Sequence, residues 1–562
     1  MGGGDEKPPL MPAGASTDCA NAVELEVRPE FSMIAPCGPP SGRGQARDSV
    51  MVMARVKARR ESDGDRRAPV NICAVIDRSE SMKTNIALVK QSLEFMVQQL
   101  RDEDQLSLLV FDHEVATILP MTYMTLQGKE SAVQAFGKLK ERGQTNLSGG
   151  LLAGLQQFLT MNPNPQDRAR VESVLLFTDG KANRGITDGN TLTRATRSVV
   201  AQIGRQVSVF TFGFSEEHEA NVLQSIAEAG NGLYYYVADV ESIPDSFCDC
   251  LGGLLSVTAQ NITLEIEGLN GHLLDRPLTT FAVNSSKPNC YTVQIPDIYS
   301  EESKDILVNV ALCIKGEFDL DNPRPVPTEV LQCHVSYFDV LTCKICNVEA
   351  TACVSILPPA ITAEELGMEL EEKLTIADTD VALQRIRQST NIALRDADRL
   401  ASGNDRAGAV EQIDRCVRVI ETSPLSQDTF AQHQMMTLLT AKAGISDQRE
   451  YKRFGAKHVR GLVHANEQQR SNTNPVIPSP APMAAAASAS RPAYSVPMPP
   501  PLPSQAAAAS YLGSSASAAA PYPVSVAPPP AYAKPYNPYR KKAKVEMMDE
   551  WKKHKGKKEE EE

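Results

Sequence analysis

No apolar run in this 562-residue chain approaches the roughly 20 residues that a bilayer-crossing helix needs, so no membrane span is expected. An excess of basic charge is also missing. The formal net charge is −12, whereas a general nucleic-acid binder shows a basic footprint, so nucleic acid is not expected as a partner. The opening residues, MGGGDEKPPLMPAG, lack a basic region followed by an apolar stretch, and an ordinary signal peptide is not expected. Glu6 stands where a myristoylation pattern wants Ser or Thr. These absences give a cytoplasmic expectation, with the nucleus as the alternative. The 12 cysteines form a single C-x-x-C, Cys343 and Cys346, with Cys333 and Cys353 nearby. A structural zinc site normally needs a second ligand pair at matching spacing, so reduced, buried thiols are the expectation.

What is present is a change of period along the chain. Residues 1–21 are expected to be disordered. Residues 22–65 hold two alternating stretches, AVELEVRPEFSMI and SVMVMARVKAR, which predict strands. From 66 to 255 short apolar runs alternate with helical patterns: VNICAVID, QLSLLVFD, VESVLLFTD, QVSVFTFGF and GLYYYV are the strands. Ile86, Val89, Leu93, Met96, Val97 and Leu100 form a helical stripe. The alternation predicts an α/β fold, a doubly wound, mostly parallel sheet covered by helices on both faces. Residues 256–358 return to short alternating segments and predict a β-sandwich. The strands of 22–65 have no other evident partner and are expected to join it, which leaves the α/β domain inserted. Residues 359–466 read as three or four helices, with Leu366, Leu370, Leu374, Ile386, Ile392 and Leu394 on apolar faces. Over 467–562 Pro, Ala, Ser and Tyr dominate before a charged end, and disorder is expected. The closing YRKKAKVEMMDEWKKHKGKKEEEE reads as a solvated mixed-charge tail, an interaction helix or nuclear signal being the alternatives.

The turn DRSESM, between a buried strand and a helix, contains no glycine, so it does not offer the backbone cradle of a dinucleotide site. It offers Asp77, Ser79 and Ser81, all hard oxygens, which suit Mg²⁺, Mn²⁺ or Ca²⁺. One loop cannot surround a cation, so other loops must contribute. GQTNLSGGL puts Thr145 just before a helix, and LLFTDGKAN puts Asp179 just after a strand. A helix cap is the plainer role for a lone Ser or Asp at such a turn: Ser79 or Ser81 for one helix, Ser148 for the next.

D-x-S-x-S, a separate G-x-T, and T-D-G after a strand resemble the metal-ion-dependent adhesion site of the von Willebrand factor A domain, over residues 70–255. The resemblance implies that the Ser79 and Ser81 hydroxyls coordinate the ion and that Thr145 does so directly or through water. It also implies that Asp77 and Asp179 ligate the ion or hold its waters, and that an Asp or Glu of a protein partner fills the remaining position. Mg²⁺ or Mn²⁺ is the expected ion, ahead of Ca²⁺. Glu80 departs from the glycine common between the two serines and sets a negative charge beside a site for an acidic ligand. The wider layout resembles intracellular members of plants and protists, bacterial relatives, and more distantly the inter-alpha-trypsin inhibitor heavy chains. Several plant members carry a RING finger and would be ubiquitin ligases. No such Cys/His array is present here, so that activity is not carried over.

The first functional expectation is therefore a non-enzymatic adaptor. The alternative is a metal-dependent phosphoryl-transfer enzyme. Such enzymes commonly place a second carboxylate two residues after a nucleophilic Asp, and here Ser79 occupies that place. A third reading lies in the tail, where PPLP (500–503) and PPAY, with Pro529, Pro530 and Tyr532, match short patterns bound by WW or SH3 domains. In that reading the chain is a proline-rich scaffold with a vestigial metal site.

Overall fold

A computed structural model of the chain describes residues 22–35, 48–59, 67–161, 170–179, 181–214, 218–237, 243–313, 324–358, 372–446, 451, 455–470 and 542–561. Strands β1 (Val23–Pro29), β2 (Met33–Ile34) and β3 (Ser49–Ala58) open it. The α/β domain follows: β4 (Val70–Asp77), α1 (Ile86–Gln99), β5 (Gln105–Phe111), β6 (Val115–Tyr123), α2 (Leu126–Gly137), α3 (Leu147–Thr160), β7 (Val171–Thr178), α4 (Gly189–Ile203), β8 (Val207–Phe214), α5 (Ala220–Ala229), β9 (Tyr234–Val237) and α6 (Ile243–Leu254). Its strand order is β6-β5-β4-β7-β8-β9, parallel throughout except for β6. Every residue of β4, β7 and β8 is buried, which is why these strands read as unbroken apolar runs rather than as alternation. The stripe on α1 is buried along its whole length, from Ile86 to Leu100. The antiparallel edge strand β6 was not among the expected strands. It is half-exposed and contains Pro120, which an edge position tolerates.

The chain then forms β10 (Val257–Gly268), β11 (Leu273–Leu274), β12 (Ala282–Lys287), β13 (Cys290–Tyr299), β14 (Ser303–Ala311), β15 (Val326–Asp339) and β16 (Lys344–Ile356). These build two sheets, ordered β1-β3-β14-β11 and β12-β13-β10-β15-β16-β2, around one apolar core. The pairing of β3 with β14, from Lys57 opposite Ser303 to Ser49 opposite Ala311, closes the first sheet across the whole α/β insertion. Cys333 and Cys346 are buried while Cys343 and Cys353 are exposed, and among the described residues no cysteine cluster could hold a metal.

Among the described residues, helices Thr379–Ser402, Arg406–Glu421, Thr429–Ser446 and Ala456–Gln468 follow, around a core that includes Leu394, Ile413, Leu438 and Val459. Ile392 is not part of it: it is 59% exposed, on the face of its helix opposite Thr390, Asn391 and Leu394. Leu366 and Leu370 lie outside the described residues. No described helix is long and apolar enough to cross a membrane.

The expected disorder over 467–562 fails at both ends of that range. Arg470 is buried, its guanidinium paired with Asp297 and Glu302 and stacked 3.8 Å from the centre of the Tyr299 ring. Residues Lys542–Glu561 form a helix that packs on α6, with Met547, Met548 and Trp551 buried. Only three apolar side chains on this helix face inward among many charges, so its amphipathic signal in the sequence is short. Residues 471–541, with the PPLP and PPAY motifs, lie outside the described residues.

Without residues 22–59, the described partners left to β14 would be Leu273, Leu274 and an isolated bridge from Leu278 to Leu307. A chain lacking 22–59 is expected to aggregate and lose the sandwich's unfolding transition. Val52→Asp, at a wholly buried position, is expected to destabilise the sandwich by roughly 3 kcal/mol or more in urea unfolding. A soluble deletion protein with an unchanged transition would show that the sandwich closes without β1 and β3.

Candidate metal centre at the end of the central strand

Strand β4 is flanked by β5 on one side and β7 on the other, so the connections leaving its neighbours part at its carboxyl end. A crevice at such a topological switch point is where open α/β sheets receive ligands. Asp77 is the last residue of β4 and is fully buried. One carboxylate oxygen accepts the Ser79 amide at 2.8 Å and the other accepts the Thr178 hydroxyl at 2.6 Å. The Ser79 and Ser81 hydroxyls lie 3.1 Å apart, and Ser81 Oγ donates to Asp179 Oδ1 at 2.7 Å. Ser79, Ser81 and Asp179 are thus linked through their oxygens, and Asp77 joins them through the Ser79 amide.

Thr145, also buried, is brought to the same crevice through its backbone. The Arg142 amide donates to Arg78 O at 2.8 Å and the Glu80 amide to Gly143 O at 3.3 Å, tying the Thr145 loop to the Asp77 loop. The Thr145 amide donates to Asn183 Oδ1 at 2.9 Å, and the Asn183 amide returns a bond to Thr145 O at 3.1 Å, tying it to the Asp179 loop. Gly143 holds a left-handed backbone (φ 72°), a conformation glycine adopts without strain.

The helix-cap roles are filled differently. Ser79 precedes a short 3₁₀ turn (Glu80–Thr84) and makes no side-chain cap bond. Asn146, not Ser148, caps α3 by accepting the Gly149 amide. Ser148 Oγ instead accepts the Ile186 amide at 2.8 Å. The serine hydroxyls of the first loop are thus directed to each other and to Asp179.

Sequence reasoning missed three supports. Asn85 Nδ2 donates to Asp179 Oδ2 at 3.2 Å, and Asn183 clamps Thr145 as described. Buried Asp112 accepts Nε of both Arg78, at 2.8 Å, and Arg142, at 2.7 Å, locking two of the loops. The Asn pairings depend on loops distant in sequence, whereas an Asp directly after β5 was a signal that could have been read. Asp112, His113 and Glu114 form the one described cluster of His and acidic groups close enough to share a metal. Two guanidiniums already engage the Asp112 carboxylate. Burial alone would raise its pKa, yet the Arg142 hydrogen bond, the Glu114 amide and the arginine charges hold it below the ordinary range. This cluster is an arginine clamp beside the crevice.

The donor set at Asp77 fits a hard divalent cation: two carboxylates and two hydroxyls, linked by short hydrogen bonds, with oxygen the only donor atom. Burial pushes the Asp77 carboxyl up to about 6, against hydrogen bonds from Thr178 and Ser79, and neighbouring Asp179 pushes the same way. Such a site gains from a positive ion.

Three comparisons set these residues among known proteins. Residues 71–248 match the family model of the von Willebrand factor type A domain. The uncharacterised protein sll0103 of Synechocystis is 24% identical over 284 residues, 49% of this chain and 63% of that protein. The probable E3 ubiquitin-protein ligase WAVH2 of Arabidopsis thaliana is 22% identical over 300 residues, 51% of this chain and 38% of that protein. The chain thus spans less than two thirds of the length of either relative. A solved von Willebrand factor type A structure from Catenulispora acidiphila superposes with a TM-score of 0.56 at 14% identity, covering 76% of this chain and 91% of that one. It shares the fold.

A carboxyl whose pKa in the fold stands above its ordinary value stabilises the fold below the unfolded-state pKa. That contribution is lost as pH rises through about 6. In chelator, wild type is therefore expected to lose stability relative to Asp77→Asn between about pH 4 and about pH 7, by on the order of 1–3 kcal/mol. Urea unfolding of both proteins across that range measures it, and a pH-independent difference would refute the burial of an uncompensated charge at Asp77.

Proposed function

We propose that this chain, whose residues 71–248 are a von Willebrand factor type A domain, is a non-enzymatic adaptor that captures an acidic residue of a protein partner through a divalent cation, Mg²⁺ or Mn²⁺. The observation that carries the reading is the hydrogen-bonded chain Thr178–Asp77 and Ser79–Ser81–Asp179 at the carboxyl end of the central strand. The ion would be held by Asp77, Ser79, Ser81, Thr145 and Asp179. When bound, it supplies a Lewis-acidic position for an oxygen ligand from outside.

The residues themselves favour capture over catalysis. Asp77 is sunk beneath the loop and fastened by Thr178 and the Ser79 amide, so it stands as a fixed negative charge rather than as a nucleophile. Ser79 takes the place two residues on where a phosphoryl-transfer enzyme commonly has its second carboxylate. Hydroxyls add no charge, which leaves a divalent ion free to attract an anionic ligand. Exposed Lys83, Lys181 and Arg184 stand on two of the same loops and attract acidic partners over distance, while exposed Glu80 opposes them.

Mg²⁺ is expected to raise the melting temperature of wild type and to leave the Ser79→Ala/Ser81→Ala double variant unchanged, both being equally folded in chelator. Affinity capture with Mg²⁺-loaded protein, run beside a chelated control, should recover acidic partners that the double variant and Asp179→Ala lose. Glu80→Gly should retain or strengthen capture. If the double variant captures the same proteins with Mg²⁺ and with chelator, the adaptor reading is wrong.

A further inference from the structure

The C-terminal helix, Lys542–Glu561, adds no strand to any sheet, and only residues 471–541 join it to the rest of the chain. Its inward face is Lys544, Met547, Met548 and Trp551, spaced i, i+3, i+4, i+7. Trp551, the single tryptophan of the chain, meets Phe95 of α1 edge-on at 4.8 Å between ring centres and lies 6.3 Å from Phe247 of α6. Lys544 Nζ forms a buried ion pair with Asp249 Oδ2 at 3.2 Å and stands 5.6 Å from the centre of the Tyr299 ring. Asp249 also accepts the Tyr235 hydroxyl at 3.1 Å, so the acidic end of the groove is braced from the sheet.

The groove is shaped to this helix at Gly252 of α6. A Cβ there would stand 3.0 Å from Ala543 O and 3.0 Å from Lys544 Cα, so the two backbones approach where α6 has no side chain. The other face of the helix is charged, with Lys542, Glu546, Asp549, Glu550, Lys552 and Lys553 exposed, and it needs no cover when released. Among the described side chains, Met547, Met548, Trp551, the Lys544–Asp249 ion pair and the His554 ring, 5.9 Å from the Phe95 ring, hold the helix to the body. Methionine contacts also adapt readily to exchange.

We propose that the groove between α1 and α6 is a helix-binding site in its own right and that residues 542–561 of the same chain are its tethered, exchangeable ligand. The chain thus has a second interaction surface, independent of the candidate metal centre. The ligand it fits is an amphipathic helix presenting Lys, two Met and Trp at i, i+3, i+4 and i+7. The covalent connection keeps the groove occupied in cis, and a tighter ligand of the same chemistry would displace the helix.

The test uses the full-length protein with a protease site introduced between residues 476 and 536, and a synthetic peptide of residues 537–562. Trp551 emission in the intact chain should be that of a buried indole. After cleavage the C-terminal fragment should co-elute with the body at high concentration, dissociate on dilution with a red shift, and be displaced by excess peptide. Gly252→Leu, which favours the helical state of α6 itself, should weaken retention about tenfold or more while leaving the main unfolding transition in place. Met547→Glu should do the same from the ligand side. A solvent-like Trp551 emission in the intact protein overturns the proposal. So does a cleaved fragment that neither dilution nor peptide removes, or a Gly252→Leu protein that retains the fragment like wild type.

Discussion

A buried arginine joins the parts of this molecule. The Arg470 side chain is 4% exposed and sits between Asp297 and Glu302, whose side chains are 3% and 4% exposed. Charges so removed from water are tolerable only when paired and hydrogen-bonded. Burial alone would raise the Glu302 pKa, and Arg470 with Lys304 holds it instead at about 2. The partners come from different regions. Asp297 also accepts the Ser208 hydroxyl of β8, Lys304 donates to Gln468 O, and both Arg470 and Lys544 approach the Tyr299 ring. The α/β domain, the sandwich, the last residue of the four-helix segment and the C-terminal helix thus share one electrostatic cluster. Removing any single charge strands the others in an apolar setting, which gives the cluster more hold over domain placement than its hydrogen-bond count implies.

The candidate metal centre rests on a different constraint, the end of a wholly buried parallel strand. Because β4 is covered on both faces, its last side chain is buried before the loop begins, and Asp77 is a buried carboxylate by position. The neighbouring loops respond with hydroxyls and amides rather than with cations. The arginines nearby are drawn to Asp112, one strand over, where they brace the loops without neutralising the crevice. This division leaves the oxygens at Asp77 open to an ion while keeping their loops rigid.

Much of this was legible in the sequence because it is local. The unbroken runs of β4, β7 and β8 and the stripe on α1 record two-sided and one-sided burial directly, and each loop bearing Asp77, Thr145 or Asp179 follows a strand or precedes a helix. The features that escaped reading are those decided by tertiary neighbours. Asn85 and Asn183 are ordinary loop residues until three loops meet. Strand β6 is an edge, where half-exposure and Pro120 blur its alternation. Ile392 looks like a core residue until the polar but buried Gln384, Thr390 and Asn391 define the inner face of its helix. Trp551 was hidden among lysines and glutamates because the surface it fits is built by α1 and α6, far earlier in the chain.

The pairing of β3 with β14 also orders events in time. A chain made from its amino end releases β1 and β3 long before Ser303 is synthesised, so these strands wait with an open edge while the whole α/β domain emerges. That domain folds mostly from neighbouring segments and forms first, although its larger core is finished only when Tyr299, Val340 and the C-terminal helix reach it. The sandwich closes around it afterwards. During synthesis the waiting edge of β3 is open to pairing with other chains.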